Sequence, residues 1–164
     1  MRQPTVDTLS SLPFLQGADD EAIRRLAEAV VEREYQSGQV VIREGTRGRE
    51  VYLIVSGSVE VAKGTGRSEM LLASRLTGDV FGEMGLIDRR PRFATVRALE
   101  PTRVLVFSED LMREVFAEHP DLLYRTIQVL SARLREADLQ MIEDLQHKNR
   151  ELALAYEQLQ EAQA

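Results

Sequence analysis

The chain has 164 residues, enough for one compact domain and one appended element but cramped for two full domains. Its 21 Lys and Arg against 27 Asp and Glu leave a formal charge of −6, which argues against nucleic-acid binding driven by overall positive charge. With no Cys, no Trp and His only at 119 and 147, disulfide frameworks, thiolate metal sites and cysteine nucleophiles are excluded and histidine chemistry is scarce.

Met1 to Leu15 reads as a short lead-in. Asp19-Asp20-Glu21 then supplies a cap and first-turn carboxylates for a helix whose apolar positions are Ile23, Leu26, Ala27, Val30 and Val31. From Gly38 the period changes: Val40, Val41 and Ile42 form a β-branched run, and glycine recurs at 45, 48, 57, 64, 66, 78, 82 and 85. Strands are expected at 39–43, 50–56, 58–62, 69–76, 93–99 and 103–107, with turns at Ser56-Gly57 and Lys63-Gly64-Thr65-Gly66. Six is a minimum count, and short strands at this spacing predict a sandwich or barrel. The longest strongly apolar run, Val51 to Val55, is far short of the ~18 residues of a membrane span. No basic-then-apolar leader opens the chain, so the expectation is a soluble cytoplasmic protein.

After Phe107 the helical period returns, with Ser108 capping a helix that carries Leu111, Met112, Val115 and Phe116. His119-Pro120 closes it and opens the next, Pro120 being suited to the first helical position. That last helix runs from about Asp121 to Gln160 without Gly or Pro and would extend roughly 60 Å, so part of it must leave the domain. Its seam reads Leu123, Ile127, Leu130, Leu134, Ala137, Met141, Leu145, Asn149, Leu152, Tyr156 and Leu159. The steps mostly alternate between three and four, with two extra four-steps between Met141 and Asn149: a coiled coil with a stutter. Asn149 at a core position fixes register and favours a parallel dimer, so a homodimer through 121–161 is expected. His119 reads as a helix-terminus residue and His147 as a solvated one.

The chemistry sits in the segment from Gly78 to Val96. Gly82-Glu83 followed by a short apolar turn presents free backbone N–H groups, and Arg92, nine residues on, can bring a fork of donors to the same place. An anion fits there. Glu83 would repel a bare phosphate, so the ligand should also offer a donor such as a sugar hydroxyl. The same spacing suits simple turn glycines, with Glu83 and Arg92 paired to each other or facing water, and spacing does not choose between the two. Arg89, Arg90, Arg92 and Arg97 are interspersed with Glu83, Asp88 and Glu100 and lack interleaved aromatics, so they read as an anion site with a solvated flank.

FGEMGLIDRRPRFATV at 81–96 resembles the phosphate-binding cassette of the cyclic-nucleotide-binding domain family, of the catabolite activator protein and protein kinase A regulatory subunit type. VYLIVSGSVEV at 51–61, Glu69 to Gly78 and LVFSEDLMREVFAEHPDLLYRTIQVLSARL at 105–134 extend the resemblance to roughly Leu12 to Asp138. It implies a mainly β fold: a jelly-roll barrel of about eight strands with short N-terminal helices, a helix pair after the barrel and a long C-terminal coiled-coil helix. The corresponding divisions are a helical lead-in at 1–36, the barrel at 37–120 and the dimerisation helix at 121–164. The implied ligand is cAMP or cGMP, with no cofactor, no metal and no enzymatic turnover.

Carried over by position, the resemblance implies that Glu83 accepts from the ribose 2′-hydroxyl, that N–H groups of Gly82 and of the following turn, Met84 and Gly85, address ribose or phosphate, and that Phe93 gives its N–H to the phosphate, with Ala94 next to it among the binding residues. Arg92 would clamp the phosphate, Val61 and Leu72 would wall the sugar and base, and Arg133, Ala137 and Asp138 would lie at the base. Two departures stand out. Phe93 replaces a small residue of the cassette, and its ring could turn outward, stack on a base or fill the pocket; the last would make a ligand-free dimerisation or interaction module. Ala137 cannot hydrogen-bond through its side chain, which leaves the base open. The expected output is helix geometry, passed to a fused or separate signalling domain. LQHKNRELALAYEQLQEAQA at 145–164 resembles linker coiled coils before kinase or cyclase domains, and no helix-turn-helix segment follows it here, so no direct nucleic-acid contact is expected.

Overall fold

The computed structural model describes residues 6–11, 15 and 17–164; the remainder of the expected lead-in, 1–5, 12–14 and 16, lies outside them. Helices α1 (Val6–Ser10) and α2 (Asp20–Ala29) come first. Strands β1 (Val31–Tyr35), β2 (Val40–Ile42), β3 (Val51–Ser56), β4 (Ser58–Lys63), β5 (Met70–Leu76) and β6 (Val80–Phe81) follow, with a 3-10 turn at Gly66–Ser68. Helix α3 (Glu83–Asp88) precedes β7 (Thr95–Ala98) and β8 (Thr102–Phe107), and α4 (Glu109–Glu118) and α5 (Pro120–Gln163) close the chain. By contact the chain divides into two compact units between Leu123 and Tyr124.

The strands form two antiparallel four-stranded sheets, ordered β1-β8-β3-β6 and β2-β7-β4-β5. The expected barrel is thus a jelly-roll sandwich: the two sheets face each other without hydrogen bonds closing them into one cylinder. All six expected strands are present. The two additional ones are β1, expected to lie within the helical lead-in, and β6, only two residues long.

Burial explains the strand sequences. Between the sheets, Tyr52, Ile54, Phe81, Val104 and Val106 of the first meet Ile42, Val59 and Val96 of the second. On the other face of the first sheet, Val51, Leu53, Leu105 and Phe107 pack with Leu9, Ile23, Leu26, Leu111, Met112 and Val115 from the helices and with Leu122. With both faces covered, β3 and β8 read as unbroken apolar runs. The second sheet is covered on one face, and β7 alternates between half-buried and buried residues. On its outer face Arg97 of β7 donates to Glu60 on β4 at 2.7 Å and to Glu69 at 3.1 Å.

The helix ends follow the caps. Asp19 accepts from the Ala22 N–H at 2.7 Å and Ser108 from the Leu111 N–H at 3.2 Å, both at helix N-termini. Pro120 is the first residue of α5, which has 44 residues. Every residue from Leu134 to Ala164 is exposed, so the seam carries Leu134, Met141, Leu145, Leu152, Tyr156 and Leu159 uncovered. No helix among the described residues is long and apolar enough to cross a membrane.

Leu53 is fully buried. Leu53→Ala is therefore expected to cost about 2–5 kcal/mol, read as a lower urea midpoint with an unchanged m-value. The hydrogen bond from Arg97 holds the Glu69 carboxyl below its ordinary pKa. A depressed carboxylate contributes stability above its unfolded pKa and loses it as pH falls through the folded value. Between neutral pH and ~pH 3, Arg97→Ala is expected to lose less Tm than the parent protein, because its Glu69 has less left to lose.

Candidate functional site

The site is assembled by the loop between β2 and β3 and, more than thirty residues on, the α3 turn and the irregular approach to β7. Strand β6 pairs with β3, Tyr52 opposite Phe81, and their rings stack at 5.0 Å between centroids. That anchors the entry to Gly82, whose φ of +83° lies in the left-handed region and starts α3. A Cβ on Gly82 would stand 3.0 Å from the Glu50 carbonyl oxygen, so this turn suits glycine for space as well as for backbone angle.

Arg92 returns to the same place because its backbone is fastened to the β2–β3 loop. Its N–H donates to the Thr46 carbonyl, and its own carbonyl accepts from the Gly45 N–H, each at 2.8 Å. The side chain is only 6% exposed. Nη1 donates to the Gly82 carbonyl at 2.7 Å and Nη2 to the Glu50 carbonyl at 2.9 Å. Among the described residues it forms no ion pair, so the expected alternative of a Glu83–Arg92 pair is not what forms. Desolvating a guanidinium costs several kcal/mol, and two hydrogen bonds from a charged donor return roughly 1.5–3 kcal/mol each. The balance is near neutral, which leaves a buried positive charge, with N–H donors to spare, facing neutral partners only.

Glycines make this burial possible. A Cβ on Gly48 would lie 2.9 Å from Arg92 Nη2, and one on Gly85 would lie 3.1 Å from Arg92 Nη1 and 2.9 Å from the Gly48 carbonyl oxygen. Beneath them the Tyr52 hydroxyl donates to Glu50 at 2.8 Å, and burial together with that bond pushes the phenol well above its ordinary range.

Of the residues expected at the site, Gly82 and Gly85 come together against the Arg92 guanidinium; Gly85, Arg92 and Ala94 are buried and Glu83 is half-buried. Met84 points to solvent at 52% exposure. Phe93 does not fill an interior: it is 53% exposed, with Lys63 Nζ 4.1 Å above its ring. The same ammonium donates to the Phe93 carbonyl at 2.7 Å and pairs with Glu44 at 2.8 Å. Val61 packs against the inter-sheet core, whereas Leu72 is exposed and is the extra residue of a β-bulge, Val61 pairing with Ala73 and Ala62 with Leu71. Arg133, Ala137 and Asp138 belong to the second unit, on α5.

Sequence reasoning missed Gly48, the Glu50 carbonyl, Glu44 and Lys63. The available signal was Arg47-Gly48-Arg49-Glu50 directly before the apolar strand β3, a glycine where a chain must pass close to something. Among the described residues no group of three or more His, Cys, Asp or Glu could hold a metal ion.

The family model for the cyclic nucleotide-binding domain matches residues 32–119. The CRP-like cAMP-activated global transcriptional regulator of Mycobacterium tuberculosis is 28% identical over 134 residues, 80% of this chain and 59% of that protein. The cAMP-dependent protein kinase regulatory subunit of Mycosarcoma maydis is 34% identical over 106 residues, 62% of this chain and 20% of that protein. Among solved structures, a cAMP-binding acyltransferase from Mycobacterium smegmatis superposes with a TM-score of 0.70 at 27% identity, covering 79% of this chain and 40% of that one. The chain thus spans about three fifths of one curated relative and a fifth of the other. With a match over just more than half its length and a buried arginine folded against a glycine-bounded turn, the chain belongs to the cyclic nucleotide-binding domain family.

Proposed function

We propose that this chain is a cAMP or cGMP sensor that binds without turnover and passes its ligand state through a dimeric C-terminal helix to an output domain or partner. The observation that carries the reading is Arg92: a buried guanidinium with carbonyl partners only. A cyclic phosphate supplies the missing negative charge, and the planar fork suits two phosphate oxygens as an ammonium does not. Glu83, at the start of α3, takes the ribose 2′-hydroxyl as acceptor, with N–H groups of Gly82, Met84, Gly85 and Phe93 around the sugar and phosphate and Ala94 beside them. Val61 and Leu72 wall the sugar and base. The base-reading role of Arg133, Ala137 and Asp138 is part of the same proposal and rests on sequence resemblance. One carboxylate and one guanidinium, with no nucleophile beside them, support binding rather than catalysis. A cytoplasmic location belongs to this reading.

The outward Phe93 speaks against the pocket-filled, ligand-free module, because a half-exposed ring held over Lys63 is not packed into an interior. For the helix, a stripe of exposed leucines at coiled-coil spacing with one asparagine supports a parallel pair. The stutter between Met141 and Asn149 locally unwinds such a pair and offers two registers that a ligand with unequal affinity can separate.

Calorimetric titration with cAMP and with cGMP tests the sensor. Micromolar or tighter binding is expected for one of them, weakened about 10- to 150-fold by Arg92→Ala and also weakened by Glu83→Ala. Absence of heat and of thermal shift with both would overturn it. Sedimentation tests the helix pair: the parent chain is expected as a dimer, and Leu145→Lys with Leu152→Lys as a monomer whose jelly roll still melts cooperatively.

A further inference from the structure

The loop between β2 and β3 and the C-terminal end of α3 enclose an open cleft of about 50 Å³ lined by Arg47, Gly48, Arg49, Gly85, Arg89 and Arg90. Four guanidinium-bearing residues around one small space are notable in a chain of net charge −6. Their charge is under-neutralised. Arg49 and Arg89 both reach Glu109 of α4, at 2.9 and 3.7 Å, and Arg113 takes the same carboxylate at 2.9 Å. The hydrogen bond from Arg49, foremost among these neighbours, holds the Glu109 carboxyl below its ordinary pKa. One carboxylate therefore serves three guanidiniums, while Arg47 and Arg90 have no ion pair among the described residues.

Two further observations point the same way. Arg89 is the one non-glycine at positive φ among the described residues, at +56°, a backbone position that glycine takes at lower cost. The lining glycines, Gly48 and Gly85, also lie against Arg92, so a fifth guanidinium adds to the positive potential at the cleft. The volume holds a few waters, room for one tetrahedral oxyanion.

We propose that this arginine-lined cleft between the β2–β3 loop and α3 is a second anion site that takes a single phosphate group, as the free oxyanion or as the head of a small phosphomonoester. Arg47 and Arg90 supply the uncommitted donors, and Arg49 and Arg89 shift part of their attraction from Glu109 to the ligand. The site is independent of whether the chain binds a cyclic nucleotide.

Amide spectra of the full ¹⁵N-labelled chain, titrated with inorganic phosphate and separately with glycerol 3-phosphate at ionic strength held constant by chloride, test it. Saturable shifts of the Gly48 and Gly85 amides are expected, with affinity falling at least tenfold in the Arg47→Gln/Arg90→Gln variant. Both substituted residues are exposed, and the variant's melting curve verifies folding. Saturation by both ligands assigns the site to the phosphate group as such; saturation by phosphate alone assigns it to the free oxyanion. Shifts without saturation overturn the proposal. So does phosphate binding that Arg92→Lys abolishes and Arg47→Gln/Arg90→Gln leaves intact, because that places the anion at the nucleotide clamp. Retained cyclic-nucleotide binding in Arg47→Gln/Arg90→Gln keeps the two sites distinct.

Discussion

A buried positive charge with only neutral partners is the constraint around which this domain is arranged. Placing the Arg92 guanidinium at 6% exposure requires carbonyls at hydrogen-bond distance and no side chains in the way. Gly48, Gly82 and Gly85 meet the second need, and the Gly82 and Glu50 carbonyls the first. Those residues sit on segments more than thirty positions apart, so no local structure could gather them. The fold does so by anchoring each end: Tyr52 on Phe81 fixes the approach to Gly82, and the backbone bonds between Arg92 and residues 45–46 fix the return.

The two sheets contribute unequally to that anchoring. The first is buried on both faces and carries β3 and β6, which deliver Glu50 and Gly82. The second has one covered face, and its outer surface is held by ion pairs whose individual contributions are small. Of the cassette, Gly82 thus follows the first sheet, whereas Arg92 is fastened just beyond β2 and leads into β7 of the second, the sheet that also carries Val61 and Leu72. Local opening is expected to cost least where burial is least, in the second sheet.

What could be read in the sequence follows the range of each signal. The cassette is contiguous, and so Gly82, Glu83, Gly85, Arg92 and Ala94 were legible together. Gly48 was not assigned to the site, because its partner lies 44 residues later and nothing local announces the approach. Strand β1 was hidden for two reasons. Val30 and Val31 continue the helical spacing of Ile23, Leu26 and Ala27, and Glu32, Arg33 and Glu34 look like solvated helix surface. In the structure Glu32 is buried and paired with Arg103 on the neighbouring β8, an edge-strand charge satisfied by a partner seventy-one positions away. Strand β6 is too short to carry a period. The orientation of Phe93 was open because it depends on Lys63 and Glu44, both outside the cassette.

Strand β5 is an edge of the second sheet and exposes Met70, Leu71, Leu72 and Leu76. An apolar edge of seven residues is a template on which a strand from another molecule could be laid. The bulge at Leu72 interrupts that template: it adds twist and offsets the ladder by one residue, which makes the edge a poorer guide for a foreign strand. Straightening the strand at Leu72 would restore a continuous apolar edge of the kind that favours cross-β association.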